Sequence, residues 1–250
     1  MADITKNDSN GNNSLRNVLV SVVRDDRTRN SKQGMDFLTG YVLALCQEGI
    51  GKPEGDRRNF VGNTFLIQEI KHQNRKEVQR LLTSKPNLEL TAWAGCTALH
   101  EACSGESWEI VADLIAAGAN VNAVNEYGYT PLMYASGVGD TPVATKINMI
   151  LQLLTAGASI NATNNVGENA LHCAIESNED VEIARLLVRR GIDVKAVTSA
   201  SKWTPLHTCL YCKRNSKELI DELVQAGADL HAVDKQGKTP AQLIASSASS

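Results

Sequence analysis

The amino-acid sequence predicts an all-α solenoid, in which short helix pairs are stacked in a row. Two sequence elements recur in register along most of the chain, at spacings of 33 to 39 residues. The opening element, of the type Thr-x-Leu-His, occurs at 97–100, 130–133, 169–172, 204–207 and 239–242, with a fainter copy at 64–67. The closing element, built around a glycine, occurs at 117–123, 156–162, 191–196 and 226–232. Because both elements return together, each interval is interpreted as one structural repeat.

The residues between the two elements carry the pattern of a helix pair. In the unit that begins near residue 95, Leu99 and Ala102 mark the buried face of a first helix, and Ile110 and Leu114 mark that of a second. The unit ends at Gly118, where a left-handed backbone would close the second helix. The same positions are apolar or small in the units that follow, so neighbouring units are expected to share one continuous core.

These elements resemble those of the ankyrin repeat family, whose units open with the motif that 204–207 carries as Thr-Pro-Leu-His. The resemblance covers 62–250, about three quarters of the chain. It implies helix-turn-helix units joined by β-hairpin loops, starting near 62, 95, 128, 167 and 202, with a partial unit near 237. The array ends there with a hairpin and one helix, either as a closing half repeat or because the array is cut short.

Composition narrows the classes of partner and compartment. With a net charge of −3, the chain lacks the general positive field that attracts nucleic acid or anionic membranes. No apolar run approaches the roughly 18 to 20 residues of a membrane span, and the polar first residues do not form a secretory signal. The 6 cysteines show no disulfide framework, which favours a reducing compartment. We therefore expect a cytoplasmic protein, with the nucleus as the alternative.

The N-terminal quarter of the chain differs from the repeats. Residues 1–13 are rich in Asn, Asp and Ser, and we expect them to be disordered. Residues 14–61 contain two amphipathic patterns and are interpreted as a helical N-terminal cap or diverged repeat, because the first unit of a solenoid needs one polar face. The alternative is a separate helical domain with its own task.

Two units depart from the regular pattern. The unit from 128 carries six extra residues, which the alignment places in a loop at 137–143, because glycine and proline are frequent there. This loop is either a contact element or a tolerated lengthening. In the unit from 202, a lysine replaces the usual hairpin glycine, so an irregular hairpin tip is expected.

No catalytic, cofactor-binding or metal-binding residue is predicted. His100, His172 and His207 recur at the fourth position of the opening element, where the family resemblance implies a structural hydrogen bond between neighbouring repeats. Cys209 and Cys212 form a C-x-x-C pair, but zinc commonly requires two such pairs and no second pair is present. The sequence therefore predicts a protein that is not an enzyme.

The predicted function is protein–protein interaction as an adaptor or scaffold. The resemblance implies that a partner binds a concave groove formed by the hairpin tips and the first helices. Six of the 11 aromatic residues fall on this predicted surface, and large rings are typical of binding hot spots. The alternative for individual rings is packing against the next hairpin. The partner is expected to be another protein, and the chain itself is expected to be a monomer. The six predicted contact residues are Trp93, Tyr127, Tyr129, Tyr134, Trp203 and Tyr211.

Two further interpretations stay open. The chain could serve as the targeting or regulatory part of a larger enzyme or of a host-directed effector. Asn122 and Asn161 occupy a hairpin position that resembles the target of asparaginyl hydroxylases, whereas the ordinary interpretation is that these side chains stabilise the hairpin.

Overall fold

The computed structural model describes residues 54–56, 64–137, 141–177, 181–212 and 217–247. The predicted disordered segment 1–13 lies outside this part of the chain. So does the predicted cap at 14–61, except for a short 3₁₀ turn at Glu54–Asp56. Both expectations for the N-terminal region therefore stay predictions.

The described residues contain eleven α-helices, arranged as five successive pairs and one final helix. The first helices of the units pack against one another, and so do the second helices, which produces two layers. The predicted all-α stack of helix pairs is confirmed. The helices are α1 Phe65–Lys71, α2 Arg75–Leu82, α3 Ala98–Cys103, α4 Trp108–Ala116, α5 Pro131–Gly137, α6 Val143–Thr155, α7 Ala170–Ser177, α8 Glu182–Arg189, α9 Pro205–Tyr211, α10 Lys217–Gln225 and α11 Pro240–Ser247.

The opening element begins four of the first helices, α3, α7, α9 and α11, through reciprocal capping. At α9, the Thr204 hydroxyl accepts a hydrogen bond from the His207 amide (3.4 Å), and His207 Nδ1 accepts one from the Thr204 amide (3.3 Å). Pro205 takes the first helical position, where its missing N–H costs nothing. The motif thus satisfies backbone donors that the start of a helix leaves without intrahelical partners.

The buried positions of the core recur from unit to unit at the spacing of the sequence motifs. Four leucines stand four residues before the closing glycine of their units, and each is completely buried in a second helix. Small side chains are buried at one shared position of the first helices, where neighbouring helices approach closely. The buried leucines are Leu114, Leu153, Leu187 and Leu223, and the buried small residues are Ala102, Ala135, Ala174 and Cys209.

The six extra residues of the third described unit are not confined to a loop, which corrects the sequence interpretation. α5 ends at Gly137 and α6 already begins at Val143, whereas 138–140 lie outside the described residues. α6 has 13 residues against 9 in α4, so four of the extra residues lengthen the second helix. The Thr141 hydroxyl donates to the Gly105 carbonyl at 2.9 Å, which ties the residues just before α6 to the preceding unit.

The recurring histidines connect neighbouring units, as the resemblance implied. Nε2 of His100 donates to the carbonyl of Tyr129 at 2.9 Å, and Nε2 of His207 makes the equivalent bond to Lys238 at 3.3 Å. His172 reaches the carbonyl of Trp203 in the same way at 3.4 Å. Because each carbonyl belongs to the next unit, the imidazoles hold the stack together.

A lower pH is expected to destabilise the array through His100 and His172. Burial lowers the pKa of both imidazoles below the ordinary value of 6.5. Near and below pH 6.5 the unfolded chain therefore binds more protons than the folded chain, and stability is lost as the pH falls through this value. Urea unfolding at pH 7.5 and 5.5 measures the loss.

The double variant His100→Met with His172→Met is the control, because Met133 occupies the same position naturally. We expect this variant to show a smaller difference between the two pH values than the wild-type chain. An unchanged difference would contradict the assignment to these histidines.

Candidate partner-binding surface

Short turns join the units, and we call those at 92–96, 125–129, 164–168, 198–202 and 234–238 the tips. All tips but the first open with an acceptor side chain. The side-chain oxygen Oδ1 of Asn125 accepts hydrogen bonds from the amides of Tyr127 and Tyr129, both at 3.0 Å. Asn164 and Asp234 do the same at two later tips. The side chains thus take the place of strand pairing at these tips, whereas an isolated β-bridge joins Thr91 and Thr97 beside the first tip.

Each tip after the first also donates one backbone hydrogen bond to the preceding tip. These bonds are 2.8 to 3.0 Å long and use only peptide groups. They keep successive tips at a fixed separation along one edge of the array. The donor and acceptor pairs are Glu126 to Ala94, Asn165 to Tyr127, Ser199 to Val166 and Lys235 to Ser201.

Three large apolar side chains are exposed at consecutive tips. Trp93 is 80% exposed, Tyr127 is 54% exposed and Val166 is 45% exposed. We call Trp93, Tyr127 and Val166 the tip row. Exposure of several large apolar side chains in one region is typical of an interaction site. Of the six predicted contact residues, Trp93 and Tyr127 are thus free to meet another molecule.

The neighbouring Tyr129 and Tyr134 are only half-buried and have internal partners. Their rings meet edge to face with centroids 6.2 Å apart. The Tyr129 hydroxyl donates to Glu168 at 3.1 Å, and the Tyr134 hydroxyl accepts from the Asn125 side chain at 3.1 Å. Burial raises the pKa of both phenols, so they stay neutral. Each ring therefore supports a tip as well as presenting part of its surface.

Trp203 and Tyr211 form a stacked pair next to the last two tips. Their centroids are 4.6 Å apart, with 19° between the ring planes. The Tyr211 hydroxyl donates to Asp234 at 2.6 Å, and this bond raises the pKa of Tyr211 to about 12. The pKa of Asp234 is lowered: its burial acts against ionisation, but the bonds from Tyr211 and from two backbone amides outweigh it. This ring pair is likewise half-buried.

Four valines are also exposed, and they were not among the predicted contact residues. Val166 belongs to the tip row, and three other valines are exposed just before the acceptor residue that opens a tip. A β-branched side chain in an otherwise polar turn is a signal that could have identified them. These three residues are Val124, Val197 and Val233.

Charge is unevenly distributed over the tips and first helices. Partial burial, together with the nearby carboxylate of Glu168, raises the pKa of Glu176. Farther along the chain, Lys202, Lys235 and Lys238 stand exposed at the last two tips. Glu126 and Glu168 lie at earlier tips, so the charged residues of the tips change from acidic to basic toward the final unit.

The cysteines of the first helices are poor candidates for chemistry. Burial raises the pKa of Cys103 and Cys173 far above the usual range and that of Cys209 to about 12. Thiolates are the reactive form, and these sites disfavour it. Among the residues the structure describes, no cluster of three or more His, Cys, Asp or Glu side chains has the arrangement of a metal site.

Asn122 and Asn161 both make hydrogen bonds to the following unit. The Asn122 side chain donates to the Gly157 carbonyl at 3.1 Å and accepts from the Ser159 amide at 2.7 Å. Asn161 accepts from the Asp193 amide at 2.8 Å. These contacts support the ordinary role of stabilising the loops, and hydroxylation of either residue stays a prediction.

Comparison with known proteins places these features among repeat proteins. A family model described as "Ankyrin repeats (3 copies)" matches residues 66–147 and 143–234. The NF-kappa-B p105 subunit of Gallus gallus is 29% identical over 191 residues, which is 74% of this chain and 19% of that protein. The RelA-associated inhibitor of Mus musculus is 45% identical over 104 residues, 39% of this chain and 12% of that protein.

A further relative is the NF-kappa-B inhibitor zeta of Bos taurus. It is 28% identical over 194 residues, which is 75% of this chain and 25% of that protein. The chain therefore spans a quarter or less of the length of these relatives. In the described part of the chain, no helix has both the length and the apolar character needed to cross a membrane.

Proposed function

The chain belongs to the ankyrin repeat family, and on this premise we propose that it is a non-enzymatic adaptor or scaffold that binds a protein partner. The binding surface consists of the tips and the adjoining faces of the first helices, which together form a concave groove. The partner meets the tip row directly. The half-buried rings beside the tips hold that surface in place.

The observation that carries this proposal is the exposure of Trp93, Tyr127 and Val166 at consecutive tips. Their backbones are fixed by the Asn125 and Asn164 turns and by the bonds between tips, so a partner meets a preformed surface. Preformed aromatic contacts bind with little loss of conformational entropy. The tip row is therefore suited to recognising apolar side chains of another protein.

The relatives support a protein partner. By its name, the RelA-associated inhibitor of Mus musculus is associated with RelA, and the Bos taurus relative is named as an inhibitor of NF-kappa-B. Both names describe proteins that act on other proteins. We propose the same class of partner for this chain and expect its identity to come from direct capture.

A second candidate is a targeting or regulatory segment of a larger enzyme or effector. The observation that favours it is that the matching region is a quarter or less of each relative described above. The intact mass of the native protein separates the two candidates, because a species well above 27.0 kDa supports the second.

The double variant Trp93→Ala with Tyr127→Ala is expected to reduce affinity for the native partner by about 2–4 kcal/mol, because exposed aromatic anchors dominate such interfaces. Affinity capture from a cell extract, followed by titration calorimetry with the captured partner, measures the loss. The melting temperature is expected to change little, since both rings are exposed. Removal of Tyr129 and Trp203 would be less informative, because these rings also make internal contacts.

Trp108→Ala is the matched control. Trp108 is 37% exposed but begins α4 in the layer of second helices, away from the tips. This variant is expected to capture the partner as the wild-type chain does. If the double variant retained wild-type affinity, the tip row would not be the docking surface.

A further inference from the structure

Three lysines form a basic group at the last two tips. Lys202, Lys235 and Lys238 are all exposed. The Lys235 amide donates to the Ser201 carbonyl at 3.0 Å, so Lys202 and Lys235 stand on directly bonded tips. The Lys238 carbonyl accepts from the Asp234 amide at 3.0 Å, which closes the same final tip. We call Lys202, Lys235 and Lys238 the lysine group.

The lysine group has no counterpart at the preceding tips. There the exposed positions are occupied by the tip row and by Glu126 and Asn165. None of the three lysines makes an ion pair with another residue that the structure describes. Asp234 is the nearby acid, but it is buried and both of its oxygens accept hydrogen bonds from Tyr211 and backbone amides. The lysine charges are therefore available to another molecule.

Lys202 has a left-handed backbone conformation, which is unfavourable for lysine. Its φ is 54°, in the left-handed region, where the tip residues Gly95, Gly128, Gly167 and Gly237 have φ between 74° and 82°. A side chain in this region strains the backbone, and such strain persists where the rest of the structure enforces it, often at functional sites. Glycine at this position would relieve the strain but would remove a charge from the lysine group.

Resting on the proposed function, we propose that the lysine group binds an acidic peptide segment of the protein partner. Clustered carboxylates of that segment pair with Lys202, Lys235 and Lys238, beside the stacked rings of Trp203 and Tyr211. Toward the N-terminal units the same segment becomes apolar and meets the tip row. The complementary charges fix the direction in which the segment lies along the tips.

The chemistry of the tips favours a peptide over nucleic acid. A phosphate backbone carries uniform negative charge, whereas the exposed tip residues are cationic only in the last two units and include the acidic Glu126 nearer the N-terminus. The whole chain has a net charge of −3, which opposes binding of a long polyanion. A peptide with an acidic end and an apolar end matches both parts of the surface.

The test uses three labelled probes and the full chain. The first probe is a fluorescein-labelled 16-residue peptide with glutamates in one half and leucines in the other. The second probe is the same peptide with glutamine in place of each glutamate. The third probe is a single-stranded 20-nucleotide DNA. Fluorescence anisotropy is measured with the wild-type chain and with the triple variant Lys202→Gln, Lys235→Gln, Lys238→Gln. The charge-matched control is Lys76→Gln, Lys195→Gln, Lys217→Gln, which removes exposed lysines away from the tips.

We expect the glutamate peptide to bind the wild-type chain and the control at least about tenfold more tightly than the triple variant. The glutamine peptide is expected to bind more weakly and to be insensitive to the lysines. Equal binding of the two peptides, absence of binding by the glutamate peptide, or an unchanged triple variant would overturn the proposal. Tighter binding of the DNA with the same lysine dependence would reassign the surface to nucleic acid.

Lys202→Gly separates strain from charge. This variant is expected to raise the melting temperature by about 2–4 °C while weakening the binding of the glutamate peptide. A higher melting temperature together with tighter binding of the glutamate peptide would contradict a binding role for Lys202. All these variants leave Trp93 and Tyr127 unchanged, so failure of the lysine group leaves the capture test of the proposed function intact.

Discussion

Substitution of Gly128 by alanine is expected to lower the free energy of unfolding by about 2–4 kcal/mol, from the sum of backbone strain and a steric clash. Gly128 has a φ of 79°, which side chains rarely adopt. An added Cβ would lie 2.7 Å from the backbone nitrogen and 2.5 Å from the side-chain oxygen of Asn165, on the next tip. Because a backbone atom is involved, a rotamer change does not relieve the contact.

Gly118→Ala provides the comparison that isolates this contact. Gly118 is also left-handed, with a φ of 92°, but nothing lies within 4 Å of an added Cβ. Its substitution is expected to cost only the strain, about 1–2 kcal/mol. Urea unfolding monitored by circular dichroism measures both variants. Equal losses at the two glycines would show that the tips do not approach as closely as described.

The second large effect is expected for Leu187→Ala, at about 2–5 kcal/mol, because the side chain is completely buried and its removal leaves a cavity. Leu187 lies in α8, between α6 and α10 in the layer of second helices. Each unit of a solenoid contacts only its neighbours, so the effect of a core substitution is greatest near the altered unit. Hydrogen exchange is therefore expected to accelerate first in these three helices, before the N-terminal units respond.

Val197→Ala is the control for the loss of apolar surface. Val197 is exposed at the tip that follows α8, and its truncation is expected to change stability by no more than about 0.5 kcal/mol. Uniform acceleration of exchange over all described helices in the Leu187→Ala chain would contradict local unfolding and indicate a single cooperative unit.

The stack was predictable from the sequence because its determinants are local and repeated. Thr204 and His207 cap their own helix, and His207 then reaches the next unit at a separation fixed by the repeat length. Leu187 and its equivalents recur at a constant distance from the closing glycine. Such positions have the same environment in every unit, so one motif predicts them all.

The candidate surface was less predictable because its side chains differ between units. Residue type suggested Tyr129 and Tyr134 as contacts, but their bonds to Glu168 and Asn125 depend on which side chains stand opposite in space. Val166 is exposed because of its position in the turn, whereas the predicted contact residues were chosen because they are aromatic. The lengthening of α6 could likewise not be deduced from a count of inserted residues.

The backbone hydrogen bonds between tips affect how specificity arises in this protein. Since the links use the amides and carbonyls of residues such as Glu126 and Tyr127, these bonds do not depend on which side chains those two residues carry. Exchange of a few such side chains would redirect the protein to a new target without refolding it. The backbone framework and the exposed side chains that select a partner can therefore evolve, or be engineered, almost independently.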